Sequence, residues 1–262
     1  MEKRKEAEVW GLNYERYALG ELNKKIAKKY DIKTVCELPA LGQKACPGLY
    51  SIGFGLSGCD VTIVNTDPVI KDKWAQLGID NKVKIISEND PNHTSFADNS
   101  FDYVWNDVYI PMHDNPEALI EEMKRVSKKY VAVFSVNAGN VGFPVHSTLH
   151  KINKIEWTHG DKRYNNRHYV RKIMKNHGLK IVKAGFVDTP IWPDSIGFRD
   201  MRLHKNNITF DNVEWITPYI DMIKNNAVPR WIKAMYGWES IPMVPIVKTL
   251  YSHLFYFIGE KG

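Results

Sequence analysis

Phe96-Ala97-Asp98-Asn99-Ser100-Phe101-Asp102 runs directly into Tyr103-Val104-Trp105-Asn106-Asp107, and this stretch decides the fold. Residues 101–105 form a short apolar run bounded by Asp, Asn and Ser, the pattern of a buried strand. Residues 106–113 then read as a loop. Asp114 stands as an N-cap for a helix over 115–127, and a further strand is expected over 130–135. Strand, helix and strand in that order imply a right-handed parallel crossover.

The same alternation extends outward in both directions. Leu19, Leu22, Ile26 and Tyr30 fall at helical spacing within 10–30. Strands are expected over 34–38, 61–64 and 83–86. Helices are expected over 48–58 and over 68–77, the latter with Pro68 at its start, where a missing N–H costs little. Downstream, a helix over 163–176 stops at Gly178, and a sixth strand covers 180–187. The texture changes over 188–249, where prolines, tryptophans and short amphipathic pieces accumulate. Residues 250–258 return to aromatic, strand-like composition. The expected fold is α/β: a seven-stranded, doubly wound, Rossmann-like sheet with an insertion between strands six and seven. Its core would be 1–187 plus 250–262, and 188–249 would form a cap over the strand ends. Ligands in such sheets sit outside the carboxyl ends of the strands, which directs attention to the loops at 39–42, 65–67, 89–90 and 106–113.

The chain has 262 residues, 44% of them hydrophobic, enough for one sizeable α/β domain. Its formal charge of +6 includes Lys24-Lys25 and Lys28-Lys29 in a helical stretch, the pattern of a solvated face. The alternative is attraction to an anionic acceptor, nucleic acid or membrane surface. Nucleic acid is disfavoured, because no basic and aromatic cluster lies on one element. Three cysteines without a CxxC spacing argue against a disulfide framework or a thiolate zinc site. Reduced thiols and a cytoplasmic location are expected. The charged N-terminus carries no apolar run of the signal-peptide kind. The most apolar stretch, 241–258, holds Pro242, Pro245, Lys248 and His253, which oppose a spanning helix. An interfacial contact there is the alternative.

The 96–102 string, followed by Asp114-Asn115-Pro116-Glu117-Ala118-Leu119 and the helix through Val126, resembles the fourth strand and next helix of class I methyltransferases dependent on S-adenosylmethionine (SAM). Strand order and spacing agree with that class from about residue 30 to 187. The closing aromatic strand also agrees, since the class ends on a reversed seventh strand. The resemblance implies SAM as cofactor and methyl transfer to an acceptor as activity.

Residue by residue, the resemblance places the cofactor along four loops. Glu37 stands at the acidic position that opens the first loop, whose backbone would continue through Pro39, Ala40 and Gly42. The class usually carries glycines where this chain has Pro39 and Leu41. Asn65 occupies the position of the usual ribose-binding carboxylate, and Asp67 lies two residues on. An ionised acceptor suits hydroxyls, although Asp67 also suits an N-cap before Pro68. Asp90 matches the acidic residue near the adenine amino group, or else forms an Asx-turn before Pro91. Asn106 and Asp107 would make polar contacts beside the sulfonium.

Methyl transfer is an in-line SN2 displacement, governed largely by positioning. A base is needed only for a protonated acceptor. The candidates are His113, His146, His150, His159 and Tyr164, with Tyr109 as a wall beside the methyl. His146 and His150 are spaced i,i+4, but two histidines without an HExxH pattern are a weak metal signal, and no metal is expected. Gly53-Phe54-Gly55-Leu56-Ser57-Gly58 matches GxGxxG in letters. It lies at a helix end rather than after a strand, so helix–sheet packing explains it better than a nicotinamide site.

In the insertion, Trp192, Phe198, Phe210, Trp215, Tyr219, Trp231, Tyr236 and Trp238 make either a small core or an apolar acceptor pocket. Arg199, Arg202, His204 and Lys205 would meet an anionic group. The expected partner is a small-molecule acceptor, partly apolar or anionic. The alternatives are a non-catalytic SAM-fold binding protein, and a membrane-peripheral methyltransferase acting on a lipid-like acceptor.

Overall fold

The computed structural model describes residues 4–42, 46–192, 196–206, 213–242 and 244–262. In chain order the elements are β1 (Arg4–Ala7), α1 (Trp10–Lys29), β2 (Thr34–Glu37), α2 (Ile52–Leu56), β3 (Asp60–Val64), α3 (Ile70–Ala75), β4 (Val83–Ile86) and β5 (Phe101–Asp107). They continue as α4 (Pro116–Val126), β6 (Ser127–Val136), α5 (Gly142–Ile152), α6 (Arg167–Asn176) and β7 (Leu179–Val187). The last are α7 (Phe198–Lys205), β8 (Val213–Ile216), α8 (Pro218–Lys224), α9 (Arg230–Ser240), α10 (Pro245–Tyr251) and β9 (Leu254–Lys261).

Seven strands form one sheet in the order β4-β3-β2-β5-β6-β9-β7. β2 through β6 pair in parallel, and β9 enters antiparallel between β6 and β7. The reversed last strand is therefore as expected. Its start is not: residues 250 and 251 end α10, and the strand begins at Leu254. Pro245 opens that helix in its first turn, where its ring is tolerated. His253 forms the corner, donating its N–H to the Asp188 carbonyl at 2.8 Å.

Alternation along each strand divides the core between the two faces. Trp105, Phe134 and Tyr256 meet Leu19 of α1, Phe54 of α2 and Trp74 of α3. Val104, Val133 and Phe257 meet Leu119 and Met123 of α4 and Ile173 of α6. α4 is capped by Asn115, whose Oδ1 accepts from the Ala118 N–H at 3.2 Å; the cap is not Asp114. α6 is shorter than 163–176, because Lys162–Asn165 is a 3₁₀ turn and Asn166 caps the helix proper.

Gly53 and Gly55 serve packing, but against helices rather than the sheet; Gly58 has no neighbour within 4 Å of a Cβ. A Cβ on Gly53 would lie 2.3 Å from the Gly20 carbonyl oxygen of α1, and one on Gly55 would lie 2.3 Å from the Trp74 ring. The residues between β7 and β9 also lean on α1. Tyr14 Oη donates to Glu239 of α9 at 2.6 Å, and Tyr219 of α8 is buried against Gly20. β8 pairs in parallel with β1, a two-stranded sheet that the sequence reading did not anticipate.

All three cysteines are buried and free, and burial pushes the thiols up, Cys46 to about 11. No helix among the described residues is long and apolar enough to cross a membrane.

Candidate active site

A cavity of about 690 Å³ opens at the carboxyl ends of β2 and β5, within the size range of small-molecule sites. Gly42 and Val108, Pro111 and Met112 form its floor on the sheet side. Trp10 and Leu12 of α1 and Phe143 of α5 add apolar walls, with Trp157 and Trp192. Phe198, Asp200, Arg202 and Leu203 of α7 close it from the insertion.

The predicted cofactor residues stand at the ends of adjacent strands, and most have local partners. Glu37 is fully buried and accepts from Ser51 Oγ at 2.6 Å, and Ser51 in turn accepts from Trp105 Nε1 at 3.2 Å. Pro39 offers no N–H, and the Ala40 N–H is given to the Val64 carbonyl at 2.8 Å. Gly42 presses on the next loop: a Cβ there would meet Tyr109 N at 2.6 Å and Asp107 O at 2.8 Å. Asn65, at φ 59°, uses Oδ1 to hold the Glu88 N–H at 2.7 Å. Asp67 Oδ1 accepts from Val69 N at 2.9 Å, an Asx-turn before Pro68 rather than the N-cap expected, since the helix starts only at Ile70 with Val69 as its cap; the side chain is exposed.

Asp90 forms the Asx-turn, accepting from Asn92 N at 2.8 Å. His93 and that amide hold its carboxyl below the usual range. Asn106 is a buried brace. Its Nδ2 donates to the carbonyls of Leu38 and Pro39 at 2.9 and 3.2 Å, and its Oδ1 accepts from Tyr109 and Ile110 N–H at 3.2 and 3.1 Å. Asp107 is buried at the end of β5.

Of the base candidates, His146 and His159 line the cavity; His113, His150 and Tyr164 do not, and neither does Tyr109. The Tyr109 and His113 rings pack in a tilted pair with centroids 5.4 Å apart, and His113 Nε2 lies 2.7 Å from Asn92 Oδ1. Burial pulls His113 below the ordinary histidine range. Tyr164 is buried, its carbonyl accepting from Ser135 Oγ at 2.8 Å.

His146, His150 and His159 converge instead. Their Nε2 atoms lie 3.2, 2.9 and 3.1 Å from Asp200 Oδ2. The i,i+4 spacing of His146 and His150 was the sequence signal. Asp200, supplied from α7 by tertiary packing, left none.

A second group escaped the sequence reading altogether. His253 Nδ1 lies 3.1 Å from Asp188 Oδ2 and 3.6 Å from Glu15 Oε2, and both His253 and Glu15 line the cavity. Burial pushes the Glu15 carboxyl up. Hydrogen bonding and charge from His253, with the Tyr50 hydroxyl and Arg16, outweigh that and leave it below the ordinary range.

The predicted anion site is occupied from within, since Arg202 Nη2 bridges Glu6 at 2.6 Å. His204 Nε2 lies 3.6 Å from Asp200, and Lys205 is exposed. Trp192 and Phe198 line the cavity. Trp215 and Tyr219 are buried, Trp231 and Trp238 are exposed, and Tyr236 Oη accepts from Lys25 Nζ at 2.7 Å. Phe210 and the Arg199 side chain lie outside the described residues.

A methyltransferase-domain family matches residues 45–134, from just past the first loop through most of β6. That stretch carries the methyltransferase-domain signature, and the fold around it is the Rossmann-like one of class I methyltransferases. The cofactor of that class is SAM. Among solved structures, the methyltransferase fold is shared with YcgJ from Bacillus subtilis at 12% identity and TM-score 0.53, covering 93% of this chain and 97% of that one. It is shared with the [4+2]-cyclase SpnF at 15% identity and TM-score 0.53, covering 92% and 80%. A candidate sarcosine dimethylglycine methyltransferase from Galdieria sulphuraria aligns at 15% identity and TM-score 0.50, covering 93% and 85%. These identities speak for the fold alone, and a cyclase among them separates fold from reaction. No curated protein matches this chain.

Proposed function

We propose that the protein transfers the methyl group of SAM to a small, partly apolar acceptor held in the cavity. The observation that carries this reading is the cavity's place at the carboxyl ends of β2 and β5, between the sheet and α7. That is where an open α/β sheet binds its ligands.

The residues present fit the nucleoside half of SAM best. Asp67 and Asp90 are exposed carboxylates at the ends of β3 and β4, each able to accept from a hydroxyl or an amino group. Asn65 and Asn106 hold their loops in place. Glu37, through Ser51, fixes the start of the first loop. The methionine half meets an altered loop, in which Pro39 and the bonded Ala40 amide give up donors that a glycine cradle would offer. Gly42 both presses on residues 107–109 and lines the cavity, so this is where the methyl-bearing end would reach the acceptor.

Residues 188–249 would act as the acceptor-binding cap, with Trp192 and Phe198 facing its apolar part. Internal pairing of Arg202 with Glu6 favours an apolar over an anionic acceptor. Should the acceptor carry a proton, His253 is the candidate base, oriented by Asp188. His146 is less suited, being engaged with Asp200.

Calorimetry with SAM and with its demethylated product tests the reading. Saturable binding of both is expected, and no binding of either at millimolar concentration overturns it. The altered loop, with Pro39 and Leu41 in place of glycines and the Ala40 amide already bonded, favours the second reading, a SAM-fold protein that does not transfer methyl groups. That outcome would be product-insensitive binding of a cavity ligand with no SAM binding.

A further inference from the structure

We infer that His146, His150, His159 and Asp200 form a binding site for one divalent transition-metal ion of the zinc class, set in the wall of the cavity. The four donor atoms lie within 4.8 Å of one another. Asp200 Oδ2 stands 2.9 to 3.2 Å from the three Nε2 atoms, and the Nε2 atoms of His146 and His150 are 3.2 Å apart. A tetrahedral ion with bonds of about 2.0–2.1 Å places neighbouring donors roughly 3.3 Å apart. The observed spacing is that of a coordination shell.

Hydrogen bonding alone does not account for the cluster. His150 Nδ1 lies 2.8 Å from the Glu156 carbonyl oxygen, which can only accept, so Nδ1 carries a proton. In the neutral ring the Nε2 lone pair then faces the lone pairs of Asp200 Oδ2 at 2.9 Å. Two acceptors in contact repel unless a cation lies between them. Placing protons on all three Nε2 atoms would crowd three donors onto one carboxylate oxygen, which has about two lone-pair sites. It would also turn His150, which already carries a proton on Nδ1, into a buried imidazolium. A single divalent ion satisfies all four atoms at once.

The surroundings are those of metal ligands. The carbonyl bond at His150 Nδ1 fixes ring orientation and tautomer, as outer partners of ligating histidines do. Gly197, at φ +81°, begins α7 so close to His146 that a Cβ would lie 2.0 Å from its ring. The glycine permits the approach that delivers Asp200. The Trp157 ring packs against all three imidazoles at 4.7 to 5.4 Å. Three nitrogens and one oxygen suit Zn²⁺ and related first-row ions. His146, His159 and Asp200 also line the cavity, so the ion would join α5, the loop after it and α7 into one wall.

The test uses the full chain stripped with a chelator and titrated with Co²⁺ and Zn²⁺, and needs no SAM. One Co²⁺ per chain is expected, with the strong visible bands of tetrahedral nitrogen and oxygen coordination, displaced by Zn²⁺, and with a raised Tm. His159→Gln and Asp200→Asn should each weaken Zn²⁺ binding at least tenfold, while His168→Gln, on the exposed side of α6, leaves it unchanged. Folded variants that bind as tightly as the parent overturn the proposal. Should both variants fail to fold, the spectrum of the unaltered chain decides: absent or octahedral Co²⁺ bands overturn it.

Discussion

Glu8 and Arg16 show how one residue can hold distant parts together. The Arg16 guanidinium is buried, with Nη2 2.6 Å from Glu8 Oε1 and Nε 3.0 Å from Glu8 Oε2. The same Nη2 donates to the Cys46 carbonyl at 3.2 Å, tying α1 to the segment that follows the first loop. Glu8→Ala would leave a buried cation without its counter-charge, which costs about 3–5 kcal/mol. Chemical denaturation should show that loss, with Glu8→Gln losing less. A second residue-scale prediction concerns Glu122. Burial pushes its carboxyl up, but Arg125 and the Thr94 hydroxyl and amide outweigh it and hold the group below the ordinary range. A lowered carboxylate stabilises the fold above its unfolded pKa of about 4.3. That contribution fades as pH falls through the folded value. Glu122→Gln should therefore lose stability at neutral pH and flatten the acid limb of a Tm-against-pH profile. An unchanged acid limb would contradict this. The same residues explain why the 96–102 string is so specific: Arg125 also bridges Asp98 at 2.6 Å, and Asp102 accepts from the backbone N–H groups of Lys33 and Thr34 at 3.0 and 2.9 Å.

At the scale of elements, α1 and α2 meet through two glycines. Gly20 and Gly53 approach so closely that a Cβ on Gly53 would overlap the Gly20 carbonyl carbon at 2.9 Å as well as its oxygen. Backbone cannot rotate out of the way as a side chain can. Gly53→Ala should force the helices apart and destabilise by about 1–3 kcal/mol or more, read as a lowered urea midpoint with unchanged slope. Gly58→Ala lacks any such neighbour, and its cost should come from φ +86° alone. This contact marks the limit of sequence reading. Periodicity located every strand of the large sheet to within a few residues, most directly the central ones, whose burial on both faces leaves an uninterrupted apolar run. It did not locate β1, β8 or α5. β1 is a four-residue strand of charged residues and alanine whose partner lies about two hundred residues away. The α5 segment opens Gly142-Phe143-Pro144 and reads locally as a turn.

Over the whole molecule, the candidate site is assembled from parts that no local pattern links. The strand-end loops were legible, because topology alone dictates where ligands sit in a doubly wound sheet. Asp200 and the pair of His253 with Asp188 were not, because each is brought in by the segment between β7 and β9. That segment is held to the sheet from the N-terminal side. β1 pairs with β8 from Arg4↔Val213 to Ala7↔Ile216, Glu6 bridges Arg202 of α7, and Glu8 anchors Arg16. Removing residues 1–8 should therefore loosen α7, β8 and α8 while the parallel strands β2 to β6 keep their protection. Hydrogen exchange followed by mass spectrometry checks this. Faster exchange confined to 196–224 is expected, whereas uniform acceleration along the chain would mean that the N-terminal strand supports the sheet itself. The truncation should also weaken any ligand that bridges the sheet and α7 more than one held by the strand-end loops alone. SAM and an acceptor therefore ought to respond unequally: the acceptor loses affinity, and the nucleoside keeps most of its own.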